Sequence, residues 1–182
     1  MHHIKKLSRF LKYGFYVGAI LHILFHFLYF TTSTLIKLAY LNFPNIHHVL
    51  PVSLEKYLSF SWSHKLLIAF SSSPSNILYS LALFSVAKLL AVYEKGIYFS
   101  EEAAKRFGNI GKSFILSVIV SIPQEALFTA AVTLHEPAGH RFLRLSFSNH
   151  DFTAILFALM IILVGWVMKE ASRLKHDQDL TV

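Results

Sequence analysis

Four stretches of this chain are apolar and long enough, or nearly so, to cross a lipid bilayer, at about residues 10–30, 76–93, 113–134 and 152–168. A helix rises about 1.5 Å per residue, so a hydrocarbon core of ~30 Å takes about 20 such residues. The pattern predicts an all-α polytopic membrane protein, a four-transmembrane-helix bundle in up-down order with an outer cap of short helices and a short inner helix. Residues 1–182 read as a single transmembrane domain, without internal repeat, low-complexity tract or second soluble domain.

The basic residues sort to alternate sides of these spans. Lys5, Lys6, Arg9 and Lys12 precede or open the first, Lys95, Lys105, Arg106 and Lys112 lie between the second and third, and Lys169, Arg173 and Lys175 follow the fourth. The other side holds Lys37, Lys56, Lys65, Arg141 and Arg144 in longer connections. The positive-inside rule then puts both termini in the cytoplasm. The net charge of +7 does not argue for a direct nucleic-acid partner, because these residues hug helix ends, where topology and anionic headgroups account for them. Without cysteine there are no disulfides, thiolate metal sites or cysteine nucleophiles, and no cofactor is expected. The N-terminal basic and apolar regions have the look of a signal peptide. They run on into Phe25, His26, Phe27, Leu28, Tyr29 and Phe30 instead of small residues, which points to an uncleaved first helix.

The outer segment, 31–75, contains two apolar pieces too short to cross, LIKLAYLNF and HKLLIAF, punctuated by Pro44, Pro51, Ser71, Ser72, Ser73 and Pro74. Short helices lying on the membrane or capping the bundle are expected there. The inner loop, 94–112, offers Ser100 as a helix N-cap, with Glu101 and Glu102 where the helix dipole favours negative charge and Lys105 and Arg106 a turn later. Gly108 or Gly111 is expected to end that helix before the third span. A solvated connector resting on headgroups and a docking surface for a cytoplasmic partner both fit.

The inner loop GIYFSEEAAKRFGNIGKS and the ending RLKHDQDLTV, in a chain of four spans, resemble the DUF2975 family of small bacterial integral membrane proteins. The residues that carry the resemblance are Gly96, Phe99, Ser100, Glu101, Arg106, Ile110 and Gly111 in the loop, and Lys175, Asp177, Gln178, Asp179, Leu180, Thr181 and Val182 in the tail. The family has no established activity, and its members are often encoded beside a small helix-turn-helix regulator. The resemblance therefore implies a membrane partner of a cytoplasmic regulator protein, docked through Glu101, Glu102, Lys105, Arg106, Asp177 and Asp179. The long aromatic outer segment is a departure of this chain.

Other motifs are weaker. Glu101, Glu102 and Arg106 fit the Glu-Glu-x-x-x-Arg pattern of membrane proteases resembling prenyl-protein endopeptidases, but that chemistry needs buried glutamates working with His residues. HEPAGH is not the His-Glu-x-x-His zinc helix, since His135 and His140 are five apart and Pro137 and Gly139 interrupt the helix. These two, with His150 and Asp151, cluster at the outer mouth as an ordinary polar loop lacking a complete ligand set.

Polar residues inside the spans carry more information. Glu125 falls 12 residues into the third run, about 18 Å deep at 1.5 Å per residue, beside Gln124 and the helix-perturbing Pro123. His22 is equally deep in the first run, with His26 one turn on, so the two histidines form a polar stripe facing the interior. Such a His and Glu pair is either glue between helices or a protonation switch. Haem is excluded because no second buried His stands in another span. Lys88 is expected to snorkel, and Tyr13, Tyr16, Tyr29, Tyr79, Tyr93 and Trp166 to form aromatic belts.

The preferred reading is a non-enzymatic regulatory or signalling membrane protein acting through its inner loop and tail. A small proton-linked transporter or channel component using Glu125 and His22, built as a homo-oligomer, comes second, and a membrane protease third.

Overall fold

The computed structural model describes residues 2–42 and 51–180, with side chains placed for 3–38, 51–174 and 177. The expected turn at Pro44 lies outside the described residues. Among the described residues seven helices follow in order: α1 (His2–Thr31), α2 (Ser33–Asn42), α3 (Leu54–Ser59), α4 (Trp62–Ser71), α5 (Pro74–Glu94), α6 (Glu101–Val132) and α7 (Asn149–Leu180). No strand occurs among the described residues.

Among the described residues, four helices are long and apolar enough to cross a membrane, over His3–Thr31, Pro74–Glu94, Glu101–Val132 and Asn149–Leu174. Their burial is the reverse of that in a water-soluble core. Only 11% of the most apolar stretch of α1 and of α7 is buried, and Phe10, Leu24 and Phe25 on α1 and Phe157, Met160 and Leu163 on α7 stand exposed. Apolar faces of that extent are covered by lipid tails, against which they carry no penalty.

The chain forms two compact units, one of residues 1–21, 78–118 and 148–182, the other of 22–77 and 119–147. In the first, segments of all four long helices pack together. Glu94, the last residue of α5, accepts from Arg9 Nε and Lys12 Nζ of α1, each at 2.6 Å. Leu89 and Val92 of α5 meet Ala103 and Ile110 of α6, with Ile161 and Met168 of α7 against them. Small residues let α6 and α7 approach: a Cβ built on Gly111 would lie 2.7 Å from the Ala158 carbonyl oxygen, and one on Gly165 would lie 3.1 Å from that of Ala104.

The inner polar segment differs from its expected form. Gly96, at φ +84°, closes α5 with Gly96 N–H to Tyr93 O at 2.9 Å and Ile97 N–H to Val92 O at 3.4 Å, the paired bonds of a Schellman cap. Ser100 caps α6 as expected, its Oγ accepting from Ala103 N–H at 3.1 Å. Gly108 and Gly111 do not end a short helix, because α6 continues through them and through Pro123 to Val132. At Gly111 the missing side chain serves packing against α7, and that close approach is worth more than the backbone freedom a glycine keeps outside a helix.

The second unit holds the outer cap. The two short apolar pieces are α2 and α4, with α3 between them, and Ser53 and Ser61 cap α3 and α4 through Lys56 N–H and His64 N–H. Phe30, Ile36, Tyr57, Ile68, Ala69, Phe128, Ala131 and Val132 make its core. Two buried polar contacts cross that core. Tyr57 donates its hydroxyl to Phe30 O at 2.5 Å, and His64 Nε2 lies 2.7 Å from Ala131 O. Burial raises the Tyr57 phenol above its ordinary pKa, which keeps it a donor. Lys65, almost fully buried, donates to Ser33 Oγ and Leu58 O, each at 3.2 Å, and Lys56 pairs with Glu136.

Candidate functional sites

At the start of α6, successive turns put Glu101, Glu102, Lys105, Arg106, Asn109 and Lys112 along one side of the helix, three and four residues apart. On α7, Ile162, Gly165, Trp166 and Lys169 recur at the same spacing. The two rows line one cleft of about 720 Å³. Arg106 Nη2 donates to Glu102 Oε1 at 3.3 Å within it.

A neighbouring cavity of about 650 Å³ is lined by Glu101, Lys169, Ser172, Arg173 and Asp177. The structure thus brings five residues singled out in the sequence, Glu101, Glu102, Lys105, Arg106 and Asp177, onto two cavities that share Glu101 and Lys169. The side chain of Asp179 lies outside the described residues, as do those of Lys175, Gln178, Leu180, Thr181 and Val182. Lys112, Trp166, Ser172 and Arg173 were not anticipated as part of this surface, although their three- and four-residue spacing on a helix was visible. No histidine lines the larger cleft among the described residues, whereas the protease pattern needs histidine beside its glutamates.

A second polar centre lies in the other unit, where α4 turns into α5. Gln124 of α6 clamps that turn: its Oε1 accepts from Ser75 N–H at 2.7 Å and its Nε2 donates to Ser72 O at 3.0 Å. Asn76 Nδ2 donates to the same carbonyl at 2.8 Å. His26 Nε2 lies 3.2 Å from Ala69 O and 3.3 Å from Ser72 Oγ. Glu125 takes a two-point contact from Arg144, Nη2 at 2.6 Å and Nε at 2.9 Å, while Arg144 N–H donates to Thr129 Oγ1 at 3.1 Å. A cavity of about 490 Å³ is lined by His26, Asn76, Gln124, Glu125 and Arg144 with Tyr29, Phe30 and Phe128.

Of the four residues expected as an intramembrane group, His26, Gln124 and Glu125 line this cavity. His22, half-buried one turn earlier on α1, is outside its lining among the described residues. Gln124, the neighbour of Glu125 in α6, binds the first turn of α5. Glu125 therefore belongs beside the end of the second long helix. Its contact with Arg144 was not legible, because the connection 133–148, with neither helix nor strand, brings that arginine back to α6 without any periodic signal.

The remaining candidates have local roles. Asp151 accepts from Ser148 N–H and Oγ, both at 2.7 Å, and Ser148 Oγ accepts from Asp151 N–H at 3.2 Å, a reciprocal cap on α7. His135 meets the His64 ring edge-on at 4.6 Å, and His140 lines a separate cavity with Lys56 and Glu136.

An all-α chain with four helices of membrane-crossing length and composition is a polytopic membrane protein. The family model described as "Protein of unknown function (DUF2975)" matches residues 30–182, and the chain belongs to the DUF2975 family. No curated protein and no solved structure matches it.

Proposed function

We propose that this chain is a regulatory membrane protein that holds a cytoplasmic protein on the surface made by the first turns of α6 and the last turns of α7. The observation that carries this reading is the cavity shared by Glu101, at the head of α6, and Asp177, near the end of α7. Residues far apart in sequence present one mixed-charge surface, with Lys169 and Arg173 lining the same cavity as the two carboxylates. Charge patterns of this kind select a partner by complementarity and exclude wrong ones. The distribution of Lys and Arg supports a cytoplasmic position for the surface and for both termini, in the inner membrane of a bacterium. The partner implied by the family resemblance is a small helix-turn-helix regulator.

The test is photo-crosslinking from position 172 in the full chain, in its native membrane. One cytoplasmic protein should be captured by the wild type and lost in the Glu101→Lys and Asp177→Lys variants. Crosslinks indifferent to both charge reversals would sink the docking surface.

A proton-linked role for Glu125 draws on one observation, the polar cavity that Glu125 shares with His26 and Arg144. Glu125→Gln should then abolish pH-dependent flux in proteoliposomes, and unchanged flux would remove that reading.

A further inference from the structure

The cleft between the first turns of α6 and the apolar turns of α7 has an unbalanced charge. Four cations, Lys105, Arg106, Lys112 and Lys169, face two carboxylates, Glu101 and Glu102. Glu102 is engaged by Arg106. Lys105, Lys112 and Lys169 have no carboxylate within ion-pair distance among the described residues. Apart from Lys169, the α7 side of the cleft is apolar: Ile162, Gly165 and Trp166 line it, and Trp166 is 69% exposed.

We infer that this cleft is a binding site for an anionic phospholipid. The phosphate diester sits among Lys105, Arg106 and Lys112, while the acyl chains run along Ile162 and Trp166. Two features select a lipid over a soluble phosphate. Lys112 lies seven residues beyond Lys105, about 10 Å along the helix, so the positive charge extends from the rim toward the apolar part of α6. The apolar wall continues into the exposed face of α7, which gives a lipid a lateral way in. Basic pockets between membrane helices on the positively charged side suit such headgroups. This inference does not rest on the docking of a protein.

The full chain, purified in an uncharged detergent, would be offered equal amounts of phosphatidylglycerol and phosphatidylcholine and weighed by native mass spectrometry. Phosphatidylglycerol should remain bound in clear excess. Lys112→Gln should lower its retention about fivefold, the factor that ~1 kcal/mol per basic residue corresponds to. Lys112→Arg should keep it, and Lys37→Gln on α2 should change nothing. Equal retention of the two lipids by the wild type overturns the proposal whatever the variants do, as does an undiminished preference in Lys112→Gln. A third arm adds inorganic phosphate alone. If it displaces the lipid at millimolar concentration, the cleft takes soluble phosphate and the lipid assignment falls.

Discussion

Gly111→Ala tests the close approach of α6 and α7. Within a helix, alanine is preferred over glycine by about 0.5–1 kcal/mol, so the substitution would stabilise an unobstructed site. Gly111 is obstructed. Its added Cβ would overlap Cγ1 of Ile162 and lie 2.7 Å from the Ala158 carbonyl oxygen. Ile162 can adopt another rotamer, but Ala158 O belongs to the α7 backbone, so the helices themselves must separate. Overpacking of this kind costs about 1–3 kcal/mol, and the backbone obstacle places it at the upper end. After the gain in helix preference, a net loss of about 2 kcal/mol remains. Gly18→Ala on α1 is the matched comparison, since nothing lies within 4 Å of its added Cβ, and it should be neutral or stabilising by about 0.5–1 kcal/mol. Thermal unfolding in mild detergent, followed by circular dichroism, reads both signs. Adding Ile162→Ala to Gly111→Ala should restore only part of the loss, because the carbonyl contact remains. A Gly111→Ala chain as stable as the wild type would refute the packing described between these helices.

Three other perturbations are readable by the same unfolding assay. Tyr57→Phe removes the buried hydroxyl that donates to Phe30 O and should destabilise the cap by about 1–2 kcal/mol, with an unchanged midpoint showing that α3 docks by apolar contact alone. Gln124→Leu strips both amide contacts from the α4 to α5 turn and should cost about 1–3 kcal/mol, whereas a cost near zero would mean that Ser75 N–H and Ser72 O find other partners. Arg144→Gln breaks an ion pair whose side chains are 45% and 26% exposed and should change stability by no more than about 1 kcal/mol. A larger loss would show that the pair is a structural fastening.

The four long helices were legible because membrane solvation imposes a length and a composition that few other structures need. The capping residue Ser100 was legible for a related reason, since it acts within a few residues of its own position, whereas the cap at Gly96 was not singled out. Gly111 was misread because glycine carries two opposite messages in a helical protein, a helix end or a close helix approach, and only the neighbouring helix decides between them. The same limit applied to Glu125. Spacing did not show that Gln124, next to it, binds Ser75 N–H and Ser72 O at the turn into α5. Sequence spacing could place His22 and Glu125 at similar counts, but it could not supply Arg144, which reaches α6 through a connection with no regular structure.

The extent of the family match bears on which polar centre matters more. Residues 30–182 include every residue lining the inner cleft and the cavity beside it, from Glu101 to Asp177, but exclude His22 and His26. Chemistry that depends on the histidines of α1 would rest on residues outside the matched segment. An activity belonging to the matched segment has to be built from α2 to α7, and the inner surface is the one that α6 and α7 complete by themselves. The contribution of α1 is different in kind: Arg9 and Lys12 fasten Glu94 at the end of α5, and His26 leans on the turn where α5 begins. Both contacts act on the ends of one helix. Charge changes on the surface between α6 and α7 should therefore leave the helices in place, whereas losing the contacts of α1 should loosen α5 first.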